Sequence, residues 1–172
     1  MRQHVLIVIF VCTLCGGMNI LSAQNKSISP SVEPIDVKGI EHLVHLRNGK
    51  ILFLNVWATW CQPCVEEFPD LVKLYNDYRN AGVDIAAISV DYPDEVDSKI
   101  LPFLVSQHVQ FEVYVANVKK DEDLINELNP SWSGAVPATF IFDANGKQRV
   151  FMFGQKTLKA FKSEIDSVLD DR

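Results

Sequence analysis

Residues 55–64 read Asn55-Val56-Trp57-Ala58-Thr59-Trp60-Cys61-Gln62-Pro63-Cys64 and join two different patterns. Before them, Ile51–Trp57 is an almost unbroken apolar run of strand length. After them, Val65, Phe68, Leu71, Val72, Tyr75 and Tyr78 recur at helical spacing until Gly82. Cys61 and Cys64 therefore fall at a strand-to-helix junction. Three residues apart at a helix start, their side chains face the same way, close enough for a disulfide. The helix N-terminus adds unpaired N–H groups and a partial positive charge, which stabilise a thiolate. A depressed thiol pKa makes a cysteine a nucleophile and a good leaving group at neutral pH. Cys61 is thus expected to attack and Cys64 to resolve, with Pro63 restraining the turn between them.

Two plainer readings of the pair are weaker. A structural disulfide this short restrains the unfolded chain little, because disulfide stabilisation grows with loop length. Half a zinc site would need a second cysteine pair or a spaced histidine pair, and the sequence supplies neither. His42, His45 and His108 fit surface or packing roles. No metal site is expected.

On the N-terminal side of this junction, Glu41–Leu46 and Ile51–Trp57 read as strands joined through Asn48-Gly49, a hairpin-type turn pair. Val83–Val90 is a continuous apolar run suited to a strand buried on both faces. Pro93–Gln107 reads as a helix disturbed at Pro102, Phe111–Val115 as a strand, and Asp121–Leu128 as a short acidic helix. Thr139–Phe142 and Gln148–Phe153 flank Asn145-Gly146, a second hairpin signal, and Thr157–Leu169 closes the chain as an amphipathic helix. This alternation predicts an α/β architecture with a mixed central sheet flanked by helices and an N-terminal β-hairpin. The run Lys119-Lys120-Asp121-Glu122-Asp123 reads as a solvated face.

The chain has 172 residues, is 48% hydrophobic and carries a formal charge of −6 with 16 basic against 22 acidic residues. That length suits one domain with appendages, and the acidic balance argues against a nucleic-acid surface. Residues 1–23 have a short basic start, the apolar run Val5–Leu14, a Gly16-Gly17 break and Leu21-Ser22-Ala23. This pattern predicts a secretory signal peptide cut after Ala23, with an uncleaved membrane tether as the alternative. Cys12 and Cys15 share the C-x-x-C spacing but would leave with the signal as small hydrophobes. Residues 24–35 are polar and proline-bearing and read as a linker, with Asn25-Lys26-Ser27 a coincidental sequon, so the folded domain is expected over 36–172. Of four cysteines in the sequence, only Cys61 and Cys64 then remain, in a protein working outside the cytoplasm.

With Glu67, Pro69, Val90-Asp91 and Val136-Pro137-Ala138-Thr139 added, the stretch Asn55–Cys64 resembles the extracytoplasmic thioredoxin-like thiol–disulfide oxidoreductases of TlpA/ResA type. The likeness covers roughly residues 36–170. It implies a thioredoxin-like fold and a redox-active Cys61–Cys64 disulfide that needs no bound cofactor. It also implies that Pro137 follows a cis peptide bond and faces the disulfide, although only about 5–6% of X-Pro bonds in folded proteins are cis. Val136 would pair its backbone with an extended substrate segment, and Trp60 would cover the disulfide and dock substrates, with Pro63 beside it. Trp57 and Trp132 read as packing residues.

Asn55 stands where plain thioredoxins resemble one another in holding a buried acid, and asparagine cannot take a proton from Cys64. In the branch resembled here, a glutamate after the second cysteine matches Glu67. Helical geometry places it within about 60° of Cys64 around the axis. Glu67 reads as the proton acceptor for Cys64, the alternative being a solvated helix acid like Glu66. Reduction of disulfides in secreted proteins is the implied activity, apocytochrome c cysteines among them, with electrons from a membrane thiol reductase. A thiol peroxidase or a copper-binding chaperone module are the alternatives. The first lacks an arginine near the cysteines, and the second needs His108 to reach them.

Overall fold

The computed structural model describes residues 30–46 and 48–171. The expected signal peptide, Cys12, Cys15 and the sequon lie outside those residues. Among the described residues, six strands form one sheet: β1 (Val32–Ile35), β2 (Ile51–Trp57), β3 (Val83–Ser89), β4 (Glu112–Ala116), β5 (Ala138–Phe142) and β6 (Gln148–Phe153), in the order β1-β4-β3-β2-β5-β6. The first four positions in that order pair in parallel, while β2–β5 and β5–β6 pair antiparallel. The mixed central sheet expected from the sequence is present.

Every residue of β2 is buried because helices cover both faces of the sheet. Alternation along the strand sends successive side chains to opposite cores. Ile51, Phe53 and Trp57 meet α2 (Gln62–Tyr78) and α5 (Leu158–Asp170) through Phe68, Leu71, Leu74, Phe161 and Ile165. Leu52, Leu54 and Val56 face α1 (Val37–His45) and α4 (Asp121–Leu128) through Ile40, Leu43, Leu124 and Leu128. Asn55 belongs by register to the first face. A polar residue is thereby placed in an apolar core beside α2.

Two expectations about the N-terminal part are corrected. Glu41–Leu46 is not a strand: it lies largely in α1, where Ile40, Leu43 and Val44 are the buried positions, a helical spacing rather than an alternating one. Asp36 caps that helix, its side chain accepting from the Gly39 N–H at 2.8 Å. Asn48 and Gly49, with φ of 50° and 81°, turn the chain from α1 into β2, so no N-terminal hairpin forms. The linker expected over 24–35 ends early, because Val32–Ile35 adds as an outer strand beside β4. An edge strand tolerates Pro34, whose missing N–H can face away from the sheet.

The disturbance expected at Pro102 is a change of helix type. Residues Pro93–Glu95 form a 3-10 turn and Val96–Ile100 a π turn in which the Leu101 N–H reaches the Val96 carbonyl. The α-helix α3 (Leu101–Ser106) comes next. Proline offers no N–H to the carbonyl four residues back, so the ladder is re-spaced around it.

Candidate active site

Trp57 ends β2 at the edge of the core, and the chain must turn into α2 within a few residues. The Cys61 N–H bonds the Ala58 carbonyl at 3.2 Å, closing the turn, and the Val65 N–H bonds the Cys61 carbonyl at 3.1 Å, opening the helix. Cys61 is itself the N-cap: its sulfur accepts from the Cys64 N–H at 3.3 Å. The two cysteines form a disulfide with Cα atoms 5.2 Å apart. Cys64 is fully buried while Cys61 retains 6% exposure, so Cys61 is the sulfur a partner can reach. Held at the helix start, a Cys61 thiolate would accept backbone N–H bonds in the field of the α2 dipole. Pro63 lies in the first turn of α2, where a missing N–H costs nothing.

Trp60 is 66% exposed and lines a groove of about 530 Å³ together with Tyr92, Leu124, Ile125 and Trp132. Trp132 is buried, donates its indole N–H to the Ala135 carbonyl at 2.8 Å and packs edge-on against Phe140. It is a packing residue, as Trp57 is against Phe68 and Phe103.

The Val136–Pro137 bond is cis, and Pro137 immediately precedes β5, whose Ala138 pairs with Val56 near the end of β2. The start of β5 therefore lies beside the strand end that leads into the cysteines. The Pro137 carbonyl accepts from the Gly154 N–H at 2.9 Å, tying it to the loop after β6.

Glu67 is 2% exposed, whereas its neighbour Glu66 is exposed, so Glu67 is no ordinary solvated helix acid. One carboxylate oxygen accepts from Asn55 Nδ2 at 3.0 Å and the other from the Lys156 backbone N–H at 3.0 Å. Asn55 Nδ2 also donates to Thr139 Oγ1 at 3.1 Å, so β2, β5 and α2 meet in one buried polar cluster. Burial raises the Glu67 pKa above its ordinary value; the Lys156 and Asn55 hydrogen bonds and the Lys156 charge offset this only in part. Just after the loop between β6 and α5, the first residue of α5 also touches α2, Leu158 N–H donating to Asp70 at 3.1 Å. Neither Lys156 nor this loop carries a sequence signal, because the contact that matters is a backbone N–H.

A second buried acid, to which the sequence assigns no role, stands nearby. Asp91, just past the end of β3, accepts from the Thr59 N–H at 2.9 Å and from the Thr59 hydroxyl at 2.6 Å. The signal for it is a lone aspartate at the close of the apolar run Val83–Val90. Among the described residues no three His, Cys, Asp or Glu side chains gather as metal ligands, so His108 does not join the cysteines as a copper-carrying module would require.

The AhpC/TSA family profile matches residues 31–150. The chain is 31% identical over 142 residues to the thiol-disulfide oxidoreductase ResA of Geobacillus kaustophilus (strain HTA426), covering 83% of this chain and 76% of that protein. It is 32% identical, with the same coverage, to the ResA of Geobacillus thermodenitrificans (strain NG80-2). In fold it matches the crystal structure of a thiol:disulfide interchange protein of the thioredoxin family from Chlorobium tepidum TLS. That match has a TM-score of 0.62 at 24% identity and covers 72% of this chain and 83% of that one. With its disulfide at the head of α2 and its thioredoxin-like sheet, the chain belongs to the AhpC/TSA family and is a thiol–disulfide oxidoreductase of the ResA type.

Proposed function

We propose that this oxidoreductase works outside the cytoplasm as a reductant of disulfides in secreted proteins, apocytochrome c cysteines being the substrate the resemblance points to. The observation that carries the reading is the asymmetry of the pair: Cys61 keeps 6% exposure while Cys64 is fully buried, with a buried carboxylate one helical turn further along. The Cys61 thiolate attacks one sulfur of the substrate disulfide, forming a mixed disulfide and releasing the other sulfur as a thiolate. The Cys64 thiolate then attacks the Cys61 sulfur, the mixed disulfide breaks, and the second substrate sulfur leaves as a thiolate. Two electrons have passed to the substrate, which takes up two protons as its thiols form, and the Cys61–Cys64 disulfide remains.

Cys64 must lose its proton before it attacks, and in its buried position water cannot take it. Glu67 serves as the acceptor. Its raised pKa brings it nearer that of a thiol and makes it a better base than a solvated carboxylate. An extended substrate segment would lie along Val136 and Pro137, with a flanking side chain against Trp60. A membrane thiol reductase would return the protein to its dithiol form, and the signal peptide, cut or kept as a tether, would place both in one compartment.

The reduction potential of the Cys61/Cys64 couple tests the direction. A value near about −270 mV supports a reductant, and one near about −120 mV would make the protein an oxidant. A Cys61→Ser protein that still reduces a protein disulfide would refute the assignment of the nucleophile.

A further inference from the structure

We propose that Asp91 is a positioning residue for the exchange reaction, clamping Thr59 so that Trp60 and Cys61 are held at the head of α2. Asp91 is 3% exposed, and no step of the exchange uses it. A carboxylate is costly to bury unless its oxygens are well bonded. Here three donors reach it: the Thr59 N–H at 2.9 Å, the Thr59 hydroxyl at 2.6 Å and the Ser89 hydroxyl at 2.5 Å. Ser89 is fully buried and in turn accepts from the Asp91 N–H at 3.0 Å, so the carboxylate is fixed from its own side.

The two bonds to Thr59 matter most. One grips its backbone and the other its side chain, which together restrict both the peptide orientation and the rotamer of the residue two before Cys61. The Val90 N–H holds the Trp57 carbonyl at 2.9 Å, so the end of β3 grips the loop at two points, Trp57 and Thr59. That double grip sets up the closing turn bond from Cys61 N–H to Ala58 and the N-cap placement of the Cys61 sulfur. Acceptance of helix N–H bonds depends on that placement, and a shift of about 1 Å can cost up to roughly a hundredfold in rate.

A clamp and a bare buried charge predict opposite effects on Cys61. If Asp91 acts by position, loosening it lets the sulfur drift from the helix N-terminus, and the thiol becomes harder to ionise. If it acts only as a negative charge, removing it makes the thiol easier to ionise.

The test is the pH profile of Cys61 alkylation by iodoacetamide in the reduced full chain, together with kcat/KM for reduction of a protein disulfide. Four proteins are compared: wild type, Asp91→Asn, Thr59→Val and Thr59→Ser. Thr59→Val deletes the hydroxyl donor at constant shape, and Thr59→Ser keeps both donors. The expected result for Asp91→Asn and Thr59→Val is an upward shift of the alkylation profile and a loss of kcat/KM of about tenfold or more. Thr59→Ser should match wild type. Should Asp91→Asn fail to fold, the Thr59 pair decides alone. A Thr59→Val protein with an unchanged or downward-shifted profile would overturn the proposal.

Discussion

The carboxylate of Glu67 accepts a hydrogen bond from the side-chain amide of Asn55 at 3.0 Å, inside a core otherwise built of Phe53, Trp57 and Phe68. The contact joins β2 to α2 one helical turn beyond Cys64, and it puts an amide where a second buried acid would repel Glu67. The pair therefore holds a single carboxylate in the polar cluster between β2, β5 and α2.

Glu67→Gln keeps the shape and an acceptor for Asn55 but removes the base. The resolving step, followed as decay of a mixed disulfide between Cys61 and a model substrate, should slow by up to about a hundredfold near neutral pH. Formation of the mixed disulfide by Cys61 should change far less. Equal rates for both steps in wild type and variant would remove Glu67 from the mechanism.

Stability should carry the same signature. Burial lifts the folded-state pKa of Glu67 above its unfolded value of 4.5. Between those two values the folded protein binds more protons than the unfolded chain, so stability falls as pH rises through the window. The favourable contribution is complete below about 4.5, the unfolded pKa, and is lost once pH exceeds the raised folded value. Denaturant unfolding at a series of pH values should show this fall in the wild type. The difference curve against Glu67→Gln isolates it, and a flat difference across the window would contradict the assignment.

Lys156 separates charge from hydrogen bonding at the same site. Its backbone N–H bonds Glu67 directly, while its ammonium is held by the carbonyls of Phe153 and Gly154 and acts on Glu67 by charge. Lys156→Met keeps the first and deletes the second. The pKa of Glu67, read from its carboxyl carbon resonance, should rise further, and the pH profile of the resolving step should follow it upward. An unmoved resonance would mean that solvent screens the ammonium completely.

The parts of this molecule legible in the sequence are those set by local pattern. The run Ile51–Trp57, the cysteines at the head of α2 and the helical stripe after them all follow from spacing. Glu41–Leu46 reads as a strand because Leu43, Val44 and Leu46 suit either period over so short a stretch, and the helix is decided by the Asp36 cap and by burial of Ile40. The cis bond before Pro137 has no local cause and is legible only through resemblance. The roles of Asp91 and the Lys156 N–H are hidden for another reason: each acts on a residue more than thirty positions away, through a contact that only the folded sheet creates.

The Asn145-Gly146 turn gives a stability test well away from the chemistry. It joins β5 to β6 at the end of β5 opposite Pro137, so its loss should leave the cysteines untouched. Gly146 has φ of 78°, and a Cβ built there would collide with the His45 ring and lie 3.1 Å from the Val44 carbonyl. Gly49 has a similar φ of 81° with nothing within 4 Å of its Cβ position. Gly49→Ala thus reports the backbone penalty alone, about 1–2 kcal/mol. Gly146→Ala adds the collision, and overpacking of this kind costs a further roughly 1–3 kcal/mol. His45→Ala in the Gly146→Ala background should recover part of that difference, since the ring is removed while the Val44 carbonyl stays. Chemical denaturation of the three variants measures each contribution, and Cys61 alkylation should be the same in all of them. If Gly146→Ala proved no less stable than Gly49→Ala, the close approach of α1 to this turn would be wrong.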